Sequence, residues 1–195
     1  MVQLLINALS DANVDIQAEI NHQNLDGYNA LILAARNGYT EIVQLLINAL
    51  QNVNADIPLV LNQADNQGIT ALMEASFKGH TEVVQLLLDA LSDANADTLA
   101  ALNHTDMDGY TALIMASRFG HTKLVQLLIN ALGNANADIS LALNFANNGG
   151  YTPLIFASGN GNIEMLKIIL KALHNADTDI QAALSHTDSD GYNAL

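Results

Sequence analysis

Between Thr122 and Leu132 the apolar positions fall at helical spacing. Val125, Leu128 and Ile129 share a stripe that Leu124 and Leu132 continue, while Gln126 and Asn130 point elsewhere. That predicts an amphipathic helix. Just before it, Thr111 reads as an N-cap for a short helix over Ala112 to Arg118, ended by Gly120. Leu113 and Ala116 fall on one face of that helix; Met115, Arg118 and Phe119 fall on another, expected to look outward. After the longer helix comes a polar, Asn/Asp-rich turn, then an aspartate, then a brief apolar segment. The aspartate recurs at 15, 56, 97, 138 and 179 and reads as the N-cap of a third, short helix, with an ordered loop as the alternative. Pro58 favours the helix, since a first-turn N–H has no partner to lose. Ile57 with Leu61, and Ile139 with Leu143, sit four apart on one face.

The same pattern runs from end to end. Glycines stand at 27, 68, 109, 150 and 191, a constant step of 41, and open the phrases GYNAL, GITAL, GYTAL, GYTPL and GYNAL. A short turn such as Asp106 to Gly109 leads into each, and the glycine suggests a backbone position with positive φ. A second phrase, VQLLINAL or VQLLLDAL, keeps the same phase at Val2, Val43, Val84 and Val125. A fixed period in this range marks an array whose units bury their apolar faces only against neighbours. The expectation is a single all-α array over 1–195, with partial repeats at 1–26 and 191–195. Full repeats would occupy 27–67, 68–108, 109–149 and 150–190.

Within the unit, Gly109, Thr111, Ala112, Leu113, Ala116, Gly120, His121, Val125, Leu127 and Leu128 carry a pattern that resembles the ankyrin repeat. Leu102, Asn103 and Asp106 before the anchor fit it too. The resemblance covers the whole chain and implies an ankyrin-type solenoid of stacked helix pairs, here with a short third helix. Departures are local: Pro153 alone keeps the proline of the family's TPLH phrase, and Ile32, Met73, Ile114 and Ile155 fill its histidine slot. The unit also exceeds the family's ~33 residues.

Composition narrows the function. Half of the residues are hydrophobic but only 5% are aromatic, which suits helices packed through Leu, Ile and Ala. Without cysteine there are no disulfides or thiolate metal sites, and a reducing, cytoplasmic setting is expected. A net charge of −14 argues against nucleic acid and acidic membrane surfaces as partners. The apolar start lacks the basic region of a signal peptide, and no apolar run is long enough to span a bilayer.

No catalytic constellation emerges, so neither an enzyme nor a cofactor or metal site is expected. His80 and His121 read as structural residues at the turn between helices. His22, His104 and His186 share another slot, and repeat stacking would hold them about 20 Å apart, too far for one ion. Ser76, Ser117 and Ser158 read as small packing residues, and the recurring aspartates as caps and turn formers. Binding is more informative. In ankyrin-like proteins the turn tips and first helices line a concave groove for protein partners. Carried onto this chain, those slots are Tyr28, Leu33, Arg36, Ile69, Glu74, Phe77, Lys78, Tyr110, Met115, Arg118, Phe119, Tyr151 and Phe156. They include the residue types enriched at interface hot spots. A spacer within a longer protein, with no partner of its own, is the competing reading.

Two further expectations concern the ends and the charge. Val2, Leu5, Ile6 and Leu9 lack a first helix to pack on, and Gly191 to Leu195 stop one turn into another. Fraying, or head-to-tail self-association of a solenoid fragment, is expected from this. The excess of acid predicts self-repulsion that salt relieves. The melting temperature at neutral pH should therefore rise with added NaCl, which a calorimetric salt series checks; a flat or falling response would mean the charges are locally compensated.

Overall fold

A computed structural model describes residues 15–94, 98–177 and 179–195. The described residues form thirteen α-helices. By its internal contacts the chain separates into two compact units, Met1–Thr98 and Leu99–Leu195. The first contains α1 (Ile16–Asn21), α2 (Ala30–Arg36), α3 (Thr40–Asn52), α4 (Ile57–Leu61), α5 (Ala71–Lys78) and α6 (Thr81–Asp93). After α7 (Thr98–Asn103), the second continues through α8 (Ala112–Arg118), α9 (Thr122–Asn134), α10 (Ile139–Asn144), α11 (Pro153–Gly159), α12 (Ile163–Asn175) and α13 (Ile180–Ser185). In each unit a short first helix and a longer second one pack as a pair, and pairs pack on pairs: α2 on α5 and α3 on α6, then α8 on α11 and α9 on α12.

The apolar stripe read from the sequence is the core. Leu124, Val125, Leu128, Ile129 and Leu132 of α9 are all buried, as are their counterparts Val83, Val84, Leu87, Leu88 and Leu91 of α6. First helices start where an Asn or Thr side chain accepts a first-turn N–H, three residues on. Asn29 accepts from Ile32 at 2.8 Å, Thr70 from Met73 at 3.3 Å, Thr111 from Ile114 at 3.2 Å and Thr152 from Ile155 at 3.3 Å. Ser76 and Ser117 turn their hydroxyls back onto the carbonyls of Leu72 and Leu113, so their small size packs with no polar atom left over.

The short third helix is present. Asp15, Asp56, Asp138 and Asp179 cap it, accepting from Ala18, Leu59, Leu141 and Ala182. Asp97 lies outside the described residues, as do the first residues on which the end-packing expectation rested. Two residues before the cap, Asn54, Asn136 and Asp177 adopt φ of 51°, 54° and 53°. This left-handed turn swings the chain from the second helix into the third, and Asn and Asp tolerate it best among residues with a Cβ. Gly191 to Leu195 are not helical, although Ala194 is buried.

At the turn before each first helix, one Asp or Asn braces the backbone. The Asp106 carboxylate accepts from Asp108 N at 3.0 Å and Tyr110 N at 2.8 Å, while Asp106 N donates to the Tyr110 carbonyl at 3.1 Å. Asn147 does the same for Gly149 and Tyr151. Gly109 has φ +79°, and a Cβ there would meet Asn148 Oδ1 at 2.7 Å and Asn148 N at 2.9 Å. So the anchor glycine is required both by conformation and by the next turn lying against it.

Two substitutions separate these local causes. Asn136→Ala should lose up to about 1 kcal/mol of stability, because Ala lacks the short polar side chain that lets Asn occupy the left-handed region, whereas Asn136→Gly, with no Cβ to penalise, should not. Asp138→Ala should lose about 1 kcal/mol as a lost N-cap. Urea melts of the three variants check this; equal effects of Ala and Gly at 136 would refute the backbone explanation.

Candidate binding surface

The slots expected to meet a partner come together within each unit in a definite way. In the first unit, Arg36 lies over the Tyr28 ring, its Cζ 5.3 Å from the centroid, and donates to the Tyr28 hydroxyl at 2.9 Å. Its guanidinium also sits 3.8 Å from Glu74. Lys78 Nζ stands 4.5 Å from the centre of the Phe77 ring. Leu33 and Lys78 are exposed; Tyr28, Arg36, Ile69 and Phe77 are half-buried.

The second unit repeats the motif and enlarges it. Arg118 lies over Tyr110 at 5.1 Å and over Phe119 at 5.4 Å, and donates to the Tyr110 hydroxyl at 2.7 Å. Phe156 stacks on Tyr110 at 6.4 Å and on Tyr151 at 5.0 Å. Five of the expected residues thus form one aromatic cluster around a cation. Guanidinium over an aromatic face is worth about 0.5–1 kcal/mol at an exposed site. It also fixes the side chain, so little ordering entropy remains to be lost on binding.

Glu74 and Met115 differ from the outward placement expected of them: they are 5% and 6% exposed. A single helix read alone shows two faces, but in the fold α5 is contacted by both α2 and α6, and α8 by both α9 and α11. The supposed outer face is therefore partly covered. Burial raises the Glu74 carboxyl above its ordinary value of 4.5, and the opposing pull of Arg36 and then Lys78 does not cancel it. The ion pair therefore does not reverse the cost of burying the charge. Tyr151 is pushed up as well, by the charge of Asp188 beside it.

His80 and Asn162 explain the histidine slot. His80 Nε2 lies 3.2 Å from the Arg36 carbonyl, and its ring occupies the space a Cβ on Gly38 would need, at 2.6 Å. Asn162 holds the corresponding place in the second unit, donating to Thr122 Oγ1 at 2.8 Å and accepting from Met165 N. Both stitch one repeat to the one before. His186 Nε2 lies 3.1 Å from the Gly150 carbonyl.

Two features were missed. At the turn tips, Leu25 is 98% and Met107 67% exposed, in equivalent slots two repeats apart. The signal was an apolar residue where the intervening repeats carry Asn66 and Asn148. Those asparagines donate to the Leu25 and Met107 carbonyls at 2.9 and 3.0 Å. In the second unit an apolar cavity of about 440 Å³ lies by α7 and α10, lined among others by Leu99, Leu102, Leu132, Leu141 and Phe145. Phe145 there replaces the histidine or glutamine of other repeats.

The family model described as ankyrin repeats in three copies matches residues 1–100 and again 90–182. The chain belongs to the ankyrin-repeat family. A search of the curated proteins found no match. Ankyrin repeats are generally protein–protein interaction modules and typically non-enzymatic. Among the described residues no helix of this ankyrin-repeat protein is long and apolar enough to cross a membrane.

The buried carboxylate gives a pH signature. Below pH 4.5 Glu74 is protonated in folded and unfolded chains alike. As pH rises past 4.5 toward the raised folded value, the unfolded chain releases its proton first and stability falls; that loss persists at neutral pH. Relative to wild type, Glu74→Gln should therefore be more stable at pH 7 than at pH 4. Denaturant melts at the two pH values check it; the same difference at both would contradict the assignment.

Proposed function

We propose that the chain is a protein-recognition module whose partner docks on the turn tips and first helices. In the second unit the surface comprises Tyr110, Arg118, Phe119, Tyr151 and Phe156; in the first, Tyr28, Leu33, Arg36, Ile69, Phe77 and Lys78. Glu74 and Met115 support it from beneath. One observation carries the reading. In a chain that is only 5% aromatic, an aromatic cluster gathers around an ordered arginine at the surface. Such anchors dominate the energy of protein interfaces, at about 2 kcal/mol or more each. Leu25 and Met107 at the turn tips extend the surface with apolar contacts. Net charge of −14 is set against anionic polymers and lipid as ligands. We also place the chain in the cytoplasm, as expected from the absence of cysteine.

The test compares proteins captured by wild type, by a variant with Tyr110→Ala, Arg118→Ala and Phe119→Ala, and by Leu141→Ala as a surface control. The triple variant should melt cooperatively yet lose the partners that wild type and the control retain. Capture of the same partners by all three would reject this surface.

A further inference from the structure

The chain has two arginines, Arg36 and Arg118, two steps of 41 apart and built into the same clamp. Each lies over the tyrosine that follows its anchor glycine, at 5.3 and 5.1 Å, and donates to that tyrosine's hydroxyl at 2.9 and 2.7 Å. What faces the guanidinium differs. Beside Arg36 stands Glu74, at 3.8 Å. The slot that Glu74 fills becomes Phe156 two repeats later, and its ring stacks on Tyr110. Among the described residues no carboxylate lies within ion-pair distance of Arg118.

From this internal comparison we infer that Arg118 is a recognition site for a carboxylate supplied by a protein partner: the side chain of an Asp or Glu, taking at the exposed guanidinium the counter-ion role that Glu74 has in the first unit. The inference rests on the proposed surface and names the chemistry of what docks there. Arg118 is exposed and held by two rings and one hydrogen bond, which occupies one of its five N–H donors. The remaining donors form a planar fork suited to two carboxylate oxygens. Tyr110, Phe119 and Phe156 around it offer apolar surface to the residues flanking the acid. A carboxylate fits better than a phosphate group. The second charge would raise the repulsion from a chain carrying −14, and one arginine supplies no further cation to offset it.

With only two arginines, the side-chain Nε–Hε NMR spectrum of the full chain contains two peaks, one for each clamp. The probes are acetyl-Leu-Glu-Leu-amide and its Gln counterpart, in about 0.15 M salt so that distant charges are screened. The Glu peptide should shift the Arg118 peak saturably and the Arg36 peak little; the Gln peptide should bind about tenfold more weakly, the loss of a charge-assisted contact. Glu74→Gln frees the first clamp, so Arg36 should then respond as well. Arg118→Lys, read on the Tyr110 and Phe156 ring signals, should weaken the Glu peptide toward the Gln level. If both peptides move those ring signals equally, the surface stands and carboxylate recognition is overturned. If neither moves any signal, both are overturned.

Discussion

Within each compact unit, one repeat is held to the next at a place with no room for a side chain. A Cβ on Gly27 would lie 2.5 Å from Asn66 N, and one on Gly150 2.8 Å from Asp188 Cα, so the following turn rests directly on the anchor backbone. Across that contact Asn66 N donates to the Asp26 carbonyl, Asn148 N to Asp108, and Ser189 N to Gly149. The geometry tolerates one backbone path, which the bracing Asp or Asn fixes from within. A turn of different length would break both the brace and the inter-repeat bond. Extra residues must therefore enter elsewhere in the unit. They enter after the second helix, where a left-handed Asn or Asp and a capping Asp convert them into a third helix.

Much of this was legible because it is local chemistry. The period came from the glycines, the start of the first helix from Thr111, whose counterparts Asn29, Thr70 and Thr152 cap the other copies, and the third helix from its aspartates and Pro58. Each needs only a few neighbouring residues to specify it. The depth of Glu74 and Met115 was not legible, since it depends on how many helices cover a first helix. A helical period assigns residues to faces without saying what lies against each face. Leu25 and Met107 were missed for the opposite reason. Comparing slots finds a framework by its constancy, and an apolar residue alternating with asparagine carries no such signal. The asparagine binds the preceding tip's carbonyl, so the alternation has a structural cause on one side only.

That alternation runs through several slots. Tyr28 with Arg36 returns as Tyr110 with Arg118, while the repeats that follow them carry Ile69 with Phe77 and Tyr151 with Gly159. Leu59 and Leu141, both exposed, stand where Ala100 and Ala182 do in the alternate repeats. The framework residues follow a step of 41, while Tyr28 with Tyr110, Arg36 with Arg118 and Leu59 with Leu141 return at a step twice as long and Glu74 with Phe156 does not. These are two different constraints on one chain. The shorter step belongs to the backbone contacts made between neighbouring repeats within each unit. The longer one concerns side chains that no backbone contact requires.

Such a division lets the surface change at small cost to the fold. Glu74 and Phe156 occupy one slot two repeats apart, on first helices with the same cap and the same buried Leu and Ala positions. With the acid, a Tyr–Arg clamp is closed by an internal ion pair whose carboxyl is strained by its own burial. With the ring, an equivalent clamp gains aromatic stacking and keeps its positive charge facing outward. Stability favours the second arrangement, because a buried carboxylate is costly and stacked rings are not. Satisfied charge favours the first, because its arginine already has a counter-ion. A single side chain thus decides whether a repeat's arginine is paired within the chain or left facing outward, and the glycine, cap and leucine positions are the same in either case.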